Sequence, residues 1–277
     1  MERGNLYICP TPIGNLKDIS PRVLEILGEA DLIGAEDTRR TLRLLNHFEI
    51  KKPLTSCHEH NEAHKSRILL DAVEEGKTVA LVSDAGMPGI SDPGHELIKE
   101  AIERGIEVTV IPGPTAFVVA LVASGLDTSR FAFLGFLPRD TKERKIFLEE
   151  VAEYRETLIF YEAPHRLKKT LKGIADILGN RRISLSREIS KLHEENKRGT
   201  LEEMINFYEE NEPRGEYVLV VEGFKGEKTN KEEVTGTPRE QVEYLIESGM
   251  SKKDAIKDVA KRLAISKNEV YQEVLDL

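Results

Sequence analysis

The stretch SDAGMPGISDPG at 83–94 constrains the fold more than any other part of the chain. It follows TVALV at 78–82, a short β-branched apolar run of the kind that forms a buried strand. It precedes HELIKEAIERG, where Leu97, Ile98, Ala101 and Ile102 recur on one helical face. The pattern predicts a strand, a long turn and a helix. Three Gly and two Pro within the turn impose unusual backbone angles, and Ser91 or Asp92 stands where a helix cap is expected, with Pro93 in the first turn. Loops at the carboxyl ends of buried strands are where open α/β sheets bind ligands. One such loop can be a plain connector, but here two more follow the same grammar. EVTVI at 107–111 runs into Pro112, Gly113, Pro114 and Thr115 and then a small-residue helix at 116–124, and TPIGNL at 11–16 follows the first apolar run.

Read in order, Leu6 to Cys9 is a first strand, and Ser20 caps a helix that starts at Pro21 and buries Val23, Leu24 and Leu27. A second strand at 31–35 leads into EDTRR at 36–40, where Thr38 is the expected cap of a helix burying Leu42 and Leu45. SCHEHN at 56–61 places His58, Glu59 and His60 between a short strand and a helix carrying Ile68, Leu69 and Ala72. The H-x-H pair has no further ligand at metal-site spacing, so polar recognition in a cleft is the preferred reading and no metal is expected. This alternation predicts a largely parallel sheet and a first domain over 1–126. Strands at 131–138, 157–164, 182–190 and 216–224, separated by helices at 144–153, 167–178 and 201–210, predict a second α/β domain over 127–225. Residues 226–237 are charged and poor in apolar side chains, hence a linker. Three short amphipathic helices follow over 238–277, the last two joined at 264–267 by a connection of helix-turn-helix length.

The 277 residues exceed one typical domain of ~150. No window approaches the ~20 apolar residues of a membrane span, and the start lacks a signal-peptide pattern, so a soluble cytoplasmic protein without membrane partners is expected. Cys9 and Cys57 alone cannot build a disulfide framework. The net charge of -9 does not advertise nucleic-acid binding, yet basic residues gather at Arg139, Lys142, Arg144 and Lys145, at Arg166, Lys168, Lys169 and Lys172, and at Arg181, Arg182 and Arg187. Such runs are either solvated helix faces or phosphate contacts. Neither GxGxxG within a βαβ unit nor GxxxxGK[ST] occurs, which removes the main support for a dinucleotide or ATP. A ligand held mostly by backbone, without a phosphate grip, suits S-adenosylmethionine, whose sulfonium Asp84 would favour.

The blocks TPIGNLKDISPR (11–22), AEDTRRT (35–41), HEHNE (58–62), VALVSDAGMPGISDPG (79–94), IPGPTA (111–116), SGL (124–126), FLGFLPR (133–139), FYEAPHRL (160–167) and RGTL (198–201) cover nearly the whole chain. In this order they resemble the bacterial 16S rRNA cytidine 2′-O-methyltransferases, the ribosomal RNA small subunit methyltransferase I family of the tetrapyrrole methylase superfamily. Met87 stands where many members carry Thr, and Ile189 where Leu is common. The resemblance implies an α/β fold of two domains with S-adenosylmethionine in the cleft between them, a helix-turn-helix-like tail, a homodimer, and methylation of the ribose of cytidine 1402 in the small subunit; no DNA binding is expected, because the charges of the tail balance. By motif, it assigns the cofactor to Pro12, Ser83, Asp84, Ala85, Gly86, Met87, Gly89, Thr115, Ala116, Glu162 and Ala163. The hydroxyl proton needs an acceptor, for which the sequence offers Asp37, His58, His60, Glu162 and His165. Phosphate contacts are expected from Arg139, Arg144, Lys145, Arg166, Lys168 and Lys169. A methyltransferase acting on a small tetrapyrrole is the alternative, disfavoured by the basic runs and the helical tail.

Overall fold

The computed structural model describes residues 4–226, 236–247, 250–263 and 265–275. The chain divides into two compact units, Met1–Phe224 and Lys225–Leu277. The first unit opens with β1 (Leu6–Ile8), α1 (Pro21–Glu29), β2 (Leu32–Ala35), α2 (Thr38–His47), β3 (Leu54–Ser56), α3 (Glu62–Glu74), β4 (Val79–Val82), α4 (His95–Glu103) and β5 (Val108–Val110). These strands form one sheet in the order β3-β2-β4-β1-β5, every pairing parallel. Central β4 is buried along its whole length, as its unbroken apolar run requires of a strand covered on both faces. Leu69, Leu70, Val73, Leu97 and Ala101 from α3 and α4 pack with Leu6, Ile8 and Leu81 in one core, while Val23, Ile26 and Leu27 from α1 and Leu45 from α2 pack with Ile33 and Ala80 in another.

Local chemistry sets the helix starts. Ser20 accepts a hydrogen bond from the Val23 amide ahead of Pro21, as the sequence predicts. The cap of α2 is Asp37 rather than Thr38, because the longer-reaching carboxylate accepts from the Arg39 amide. Leu42 is 49% exposed and Ile102 65% exposed, so the buried stripes of α2 and α4 are narrower than expected. Neither Ser91 nor Asp92 caps α4. That helix begins at His95 after Gly94, whose φ of 132° suits only glycine, and the Glu62 carboxylate of α3 accepts from the amides of Gly94 (2.8 Å) and Glu96 (3.1 Å).

After α5 (Ala116–Ser124) come β6 (Phe131–Phe136), α6 (Thr141–Glu150), β7 (Thr157–Glu162), α7 (Pro164–Leu178), β8 (Arg182–Arg187), β9 (Glu195–Thr200), α8 (Leu201–Glu210) and β10 (Tyr217–Val221). The second sheet has the order β6-β7-β10-β8-β9; β6 and β7 are parallel and the other neighbours antiparallel. One face packs on α6, α7 and α8 through Leu148, Leu167, Leu171, Ile174 and Met204. The other receives α5, whose Ala120 and Leu121 meet Ile159, Val218 and Val220. Strand β9 went unread in the sequence. Its residues, ENKRGT, include no apolar side chain, and as an edge strand paired only with β8 it needs none.

In the second unit, α9 (Pro238–Glu247), α10 (Lys252–Arg262) and α11 (Lys267–Glu273) enclose Val242, Leu245, Ala255, Ile256, Val259 and Val270. Ser251 caps α10, and Ser266 with Glu269 forms a reciprocal capping box on α11. Of the expected linker, 227–235 lie outside the described residues.

Candidate active site

Strands β4, β1 and β5 are neighbours, so the three Gly/Pro loops emerge side by side from one end of the first sheet. Their backbones interlock. The Thr11 amide donates to the Gly86 carbonyl and the Gly86 amide to the Thr11 carbonyl, both at 2.9 Å. The Thr11 hydroxyl donates to the Ser83 carbonyl at 3.1 Å, and the Ser83 hydroxyl to the Gly86 carbonyl at 3.2 Å. Gly86 has a φ of +84°, and a Cβ there would sit 3.4 Å from Ile13 Cγ2 and 3.7 Å from the Pro114 carbonyl oxygen. At Gly113 a Cβ would lie 2.3 Å from Pro10 Cγ, so only glycine lets the first and third loops meet. These loops form one wall of a cavity of about 350 Å³. Thr115 and Ala116 at the start of α5 line it too, as do Tyr161, Glu162, Tyr217 and Val218 of the second sheet and Ala163, the cap of α7. The volume lies in the ~300–1,000 Å³ range of small-molecule sites.

Charge in the cavity is one-sided: Glu36, Asp84, Asp92, Glu162, Glu188 and Glu216 face Arg40 and Lys191. Asp84 accepts from the Asp37 amide at 3.0 Å and pairs with Arg40 at 3.1 Å. Glu36 accepts from the Asp84 amide at 3.2 Å, and burial raises its proton affinity. Asp92 is pushed up to about 7, first by burial and then by the neighbouring charges of Glu36 and Asp84.

The family model of the tetrapyrrole (corrin/porphyrin) methylases matches residues 5–205. Ribosomal RNA small subunit methyltransferase I of Halalkalibacterium halodurans is 51% identical over 273 residues, covering 98% of this chain and 94% of that protein. The chain belongs to the ribosomal RNA small subunit methyltransferase I family. The Bacillus subtilis member is 46% identical with the same coverage. Among solved structures, the uroporphyrin-III C-methyltransferase of Thermus thermophilus complexed with S-adenosyl homocysteine superposes with a TM-score of 0.56 at 21% identity, covering 79% of this chain and 97% of that one. A diphthine synthase superposes at 0.59 and 16% identity, covering 79% and 90%. These two show a shared fold.

Of the cofactor residues expected of this family, Asp84, Ala85, Gly86, Met87, Thr115, Ala116, Glu162 and Ala163 line the cavity. Pro12 and Ser83 line an adjoining hollow of about 250 Å³ with Thr11, Arg40 and Arg43. Gly89 lines neither; its amide donates to the Pro93 carbonyl and turns the loop.

The base candidates fare unevenly. Asp37 is the α2 cap, held at about 2 by hydrogen bonds from Arg39, and lines neither hollow. His58 is tied to Asn61, with His60 edge-on at 6.0 Å between ring centroids, and neither ring reaches the cavity. His165 is exposed on α7. Glu162 lines the cavity, but its carboxylate already accepts from the Ala163 amide (2.8 Å), the Thr170 hydroxyl (2.5 Å) and Arg166 Nε (3.2 Å).

The residues expected to contact phosphate are placed unevenly. Arg144 is buried, its guanidinium donating at 3.4 Å to the Pro138 and Arg139 carbonyls and the Thr141 hydroxyl. Arg166 is spent on Glu162 and the Leu137 carbonyl. Lys145 pairs with Glu149 and Lys168 with Glu212. Arg139 and Lys169 are exposed and outside every ion pair among the described residues. Glu188, Lys191, Glu216 and Asp92 line the cavity and were missed as site residues; Asp92, read from sequence as a cap, left the signal of a carboxyl in a Gly/Pro loop after a buried strand.

Proposed function

We propose that the protein transfers a methyl group from S-adenosylmethionine to the 2′-oxygen of a cytidine ribose, cytidine 1402, in the 16S rRNA of the small ribosomal subunit. The observation that carries this is the acid-lined cavity at the interlocked strand ends, in a chain of this family. Six carboxyls against two cations fit a ligand bearing both a sulfonium and an ammonium group, and a sequence with neither GxGxxG nor GxxxxGK[ST] fits a nucleoside without phosphates. Bound there, the donor supplies an electrophilic methyl carbon. The protein's part is then alignment, and fixing two reactants in line is worth ~7 kcal/mol or more. Thr11 and Gly86 lock the loop wall in place, and Asp84, oriented by the Asp37 amide, puts negative charge in the cavity. Phe136 and Tyr161, edge to face at 5.6 Å, offer ring surface on which a base can stack. Exposed Arg139 and Lys169 supply phosphate contacts.

Two α/β domains at 1–126 and 127–225, a linker at 226–237, a helical tail at 238–277, a homodimer and a cytoplasmic location complete the reading. Among the described residues no helix is long and apolar enough to cross a membrane, and Val118, Val119 and Val122 of α5 expose apolar surface available to a second copy. The test is to incubate the protein and labelled S-adenosylmethionine with undermethylated small subunits and with naked 16S rRNA, then map ribose methylation. One methylated cytidine is expected. Normal donor binding without methylation of either RNA refutes the substrate.

A further inference from the structure

We propose that Asp92 is the carboxylate that takes the proton of the attacking hydroxyl, an assignment that rests on the cavity binding S-adenosylmethionine. Three observations converge on it. Asp92 lines the cavity from the same loop as Gly86 and Met87. It is free to do so because the helix that follows is capped by Glu62, through the Gly94 and Glu96 amides. The other carboxyls of the cavity are engaged: Glu162 by Arg166 and Thr170, Asp84 by Arg40, and Glu188 and Glu216 by Lys191. Glu36 accepts from the Asp84 amide. Among the described residues no ion pair holds Asp92.

Its surroundings favour the neutral form. Glu36 from the loop after β2, Asp84 from the end of β4 and Glu216 ahead of β10 add negative charge, whereas the Ser83 hydroxyl stabilises the anion. Tyr161 of β7, itself pushed up to about 12 by burial, stays a neutral phenol, and Arg40 is committed to Asp84. A carboxyl near 7 has the proton affinity that general-base catalysis at neutral pH requires. In the step, a lone pair of the ribose 2′-oxygen forms the C–O bond, the C–S pair returns to sulfur as a thioether, and the O–H proton passes to Asp92. One positive and one negative charge vanish together. Nothing charged is left stranded in a cavity already rich in acid.

The same electrostatics gives a test independent of turnover. A sulfonium beside Asp92 lowers its proton affinity, so binding the donor near pH 7 should release about half a proton. S-adenosylhomocysteine, uncharged at sulfur, should release less. Calorimetry in buffers of different ionisation enthalpy counts these protons. The expected result is a difference between the two ligands in the wild type that disappears in Asp92→Asn. Single-turnover methylation at saturating donor should fall ~100-fold or more in Asp92→Asn, donor affinity at pH 7 should weaken by ~5- to 50-fold through the same linkage, and Asp92→Glu should recover part of the rate and its acid limb. Equal proton release for both ligands, or an Asp92→Asn rate within about 3-fold of wild type with the acid limb intact, overturns the assignment while leaving the cofactor reading standing. A wild-type protein that binds neither ligand overturns both.

Discussion

Replacing Arg166 by alanine separates two roles that the sequence could not. On the surface-contact reading Arg166 holds RNA phosphate, and its loss leaves the fold alone. In the structure the Glu162 side chain is 0% exposed and Arg166 18%, with Arg166 Nε 3.2 Å from the carboxylate and a second nitrogen 2.6 Å from the Leu137 carbonyl. Removing one partner of a buried pair costs ~3–5 kcal/mol. Glu162 keeps the Ala163 amide and the Thr170 hydroxyl, which places the loss at the low end, about 3 kcal/mol. For a unit of this size each kcal/mol moves Tm by about 2–4 °C, so thermal unfolding should fall by about 6–12 °C. Adding Glu162→Gln should restore more than half of that, because the orphaned charge disappears with it. The salt dependence of RNA binding should keep its wild-type slope. A Tm within about 2 °C of wild type, together with a slope reduced by ~0.7–0.9, would refute the structural role and return Arg166 to the phosphates.

Gly86→Val should weaken S-adenosylmethionine binding at least tenfold by calorimetry while unfolding stays cooperative, since the new side chain wedges between Ile13 and Pro114 at a φ that β-branched residues avoid. Unchanged affinity would clear that loop of contact with the donor. Neutralising Arg139 and Lys169 together should lower the log-log salt slope of RNA binding by ~1.4–1.8 without moving donor affinity. A wild-type slope makes them solvated surface. Asp92, raised to about 7 in the fold against ~3.9 unfolded, binds more protons when native, so its contribution to stability is full below pH ~4 and lost as pH rises through 7. Asp92→Asn should therefore raise Tm more at pH 8 than at pH 5, and an equal shift at both would contradict the raised proton affinity. A chain ending at Lys228 should stay folded and bind the donor normally yet methylate poorly at low RNA concentration, as expected if the tail acts by raising effective concentration. Lost donor affinity in that truncation would place the tail in the catalytic core.

What could be read beforehand was what local chemistry encodes. Ser20 before Pro21, the apolar run of β4 and the span of α5 follow from caps, periodicity and burial, and the structure has them where the residues put them. Strand β9 failed the same reading because an edge strand takes its order from hydrogen bonds to β8, which leave no mark in hydropathy. The cap of α4 failed because its carboxylate lies 32 residues upstream at Glu62. The site was legible at the level of loops and not of side-chain duty. Arg144 and Arg166 look like surface cations in a basic run, and only packing shows their guanidinium groups turned inward to carbonyls and to Glu162. Asp92 was hidden the opposite way, since a carboxyl next to Pro93 ahead of a helix reads as a cap until the helix is found starting at His95.

The strand order has a consequence for synthesis on the ribosome. β1 pairs with β4 and β5 and with nothing made earlier, whereas β2 and β3 pair with each other. Leu6–Ile8 must therefore wait for some 70 residues of chain before Val79–Val82 emerges, about 4–14 s at ~5–20 residues per second. During that interval the edges of this apolar segment are unpaired and open to any other extended chain. Thr11 meets Gly86 in the same event that closes this seam, so the interlocked loop wall and the centre of the sheet come into existence together, and a nascent chain arrested before β4 would possess neither.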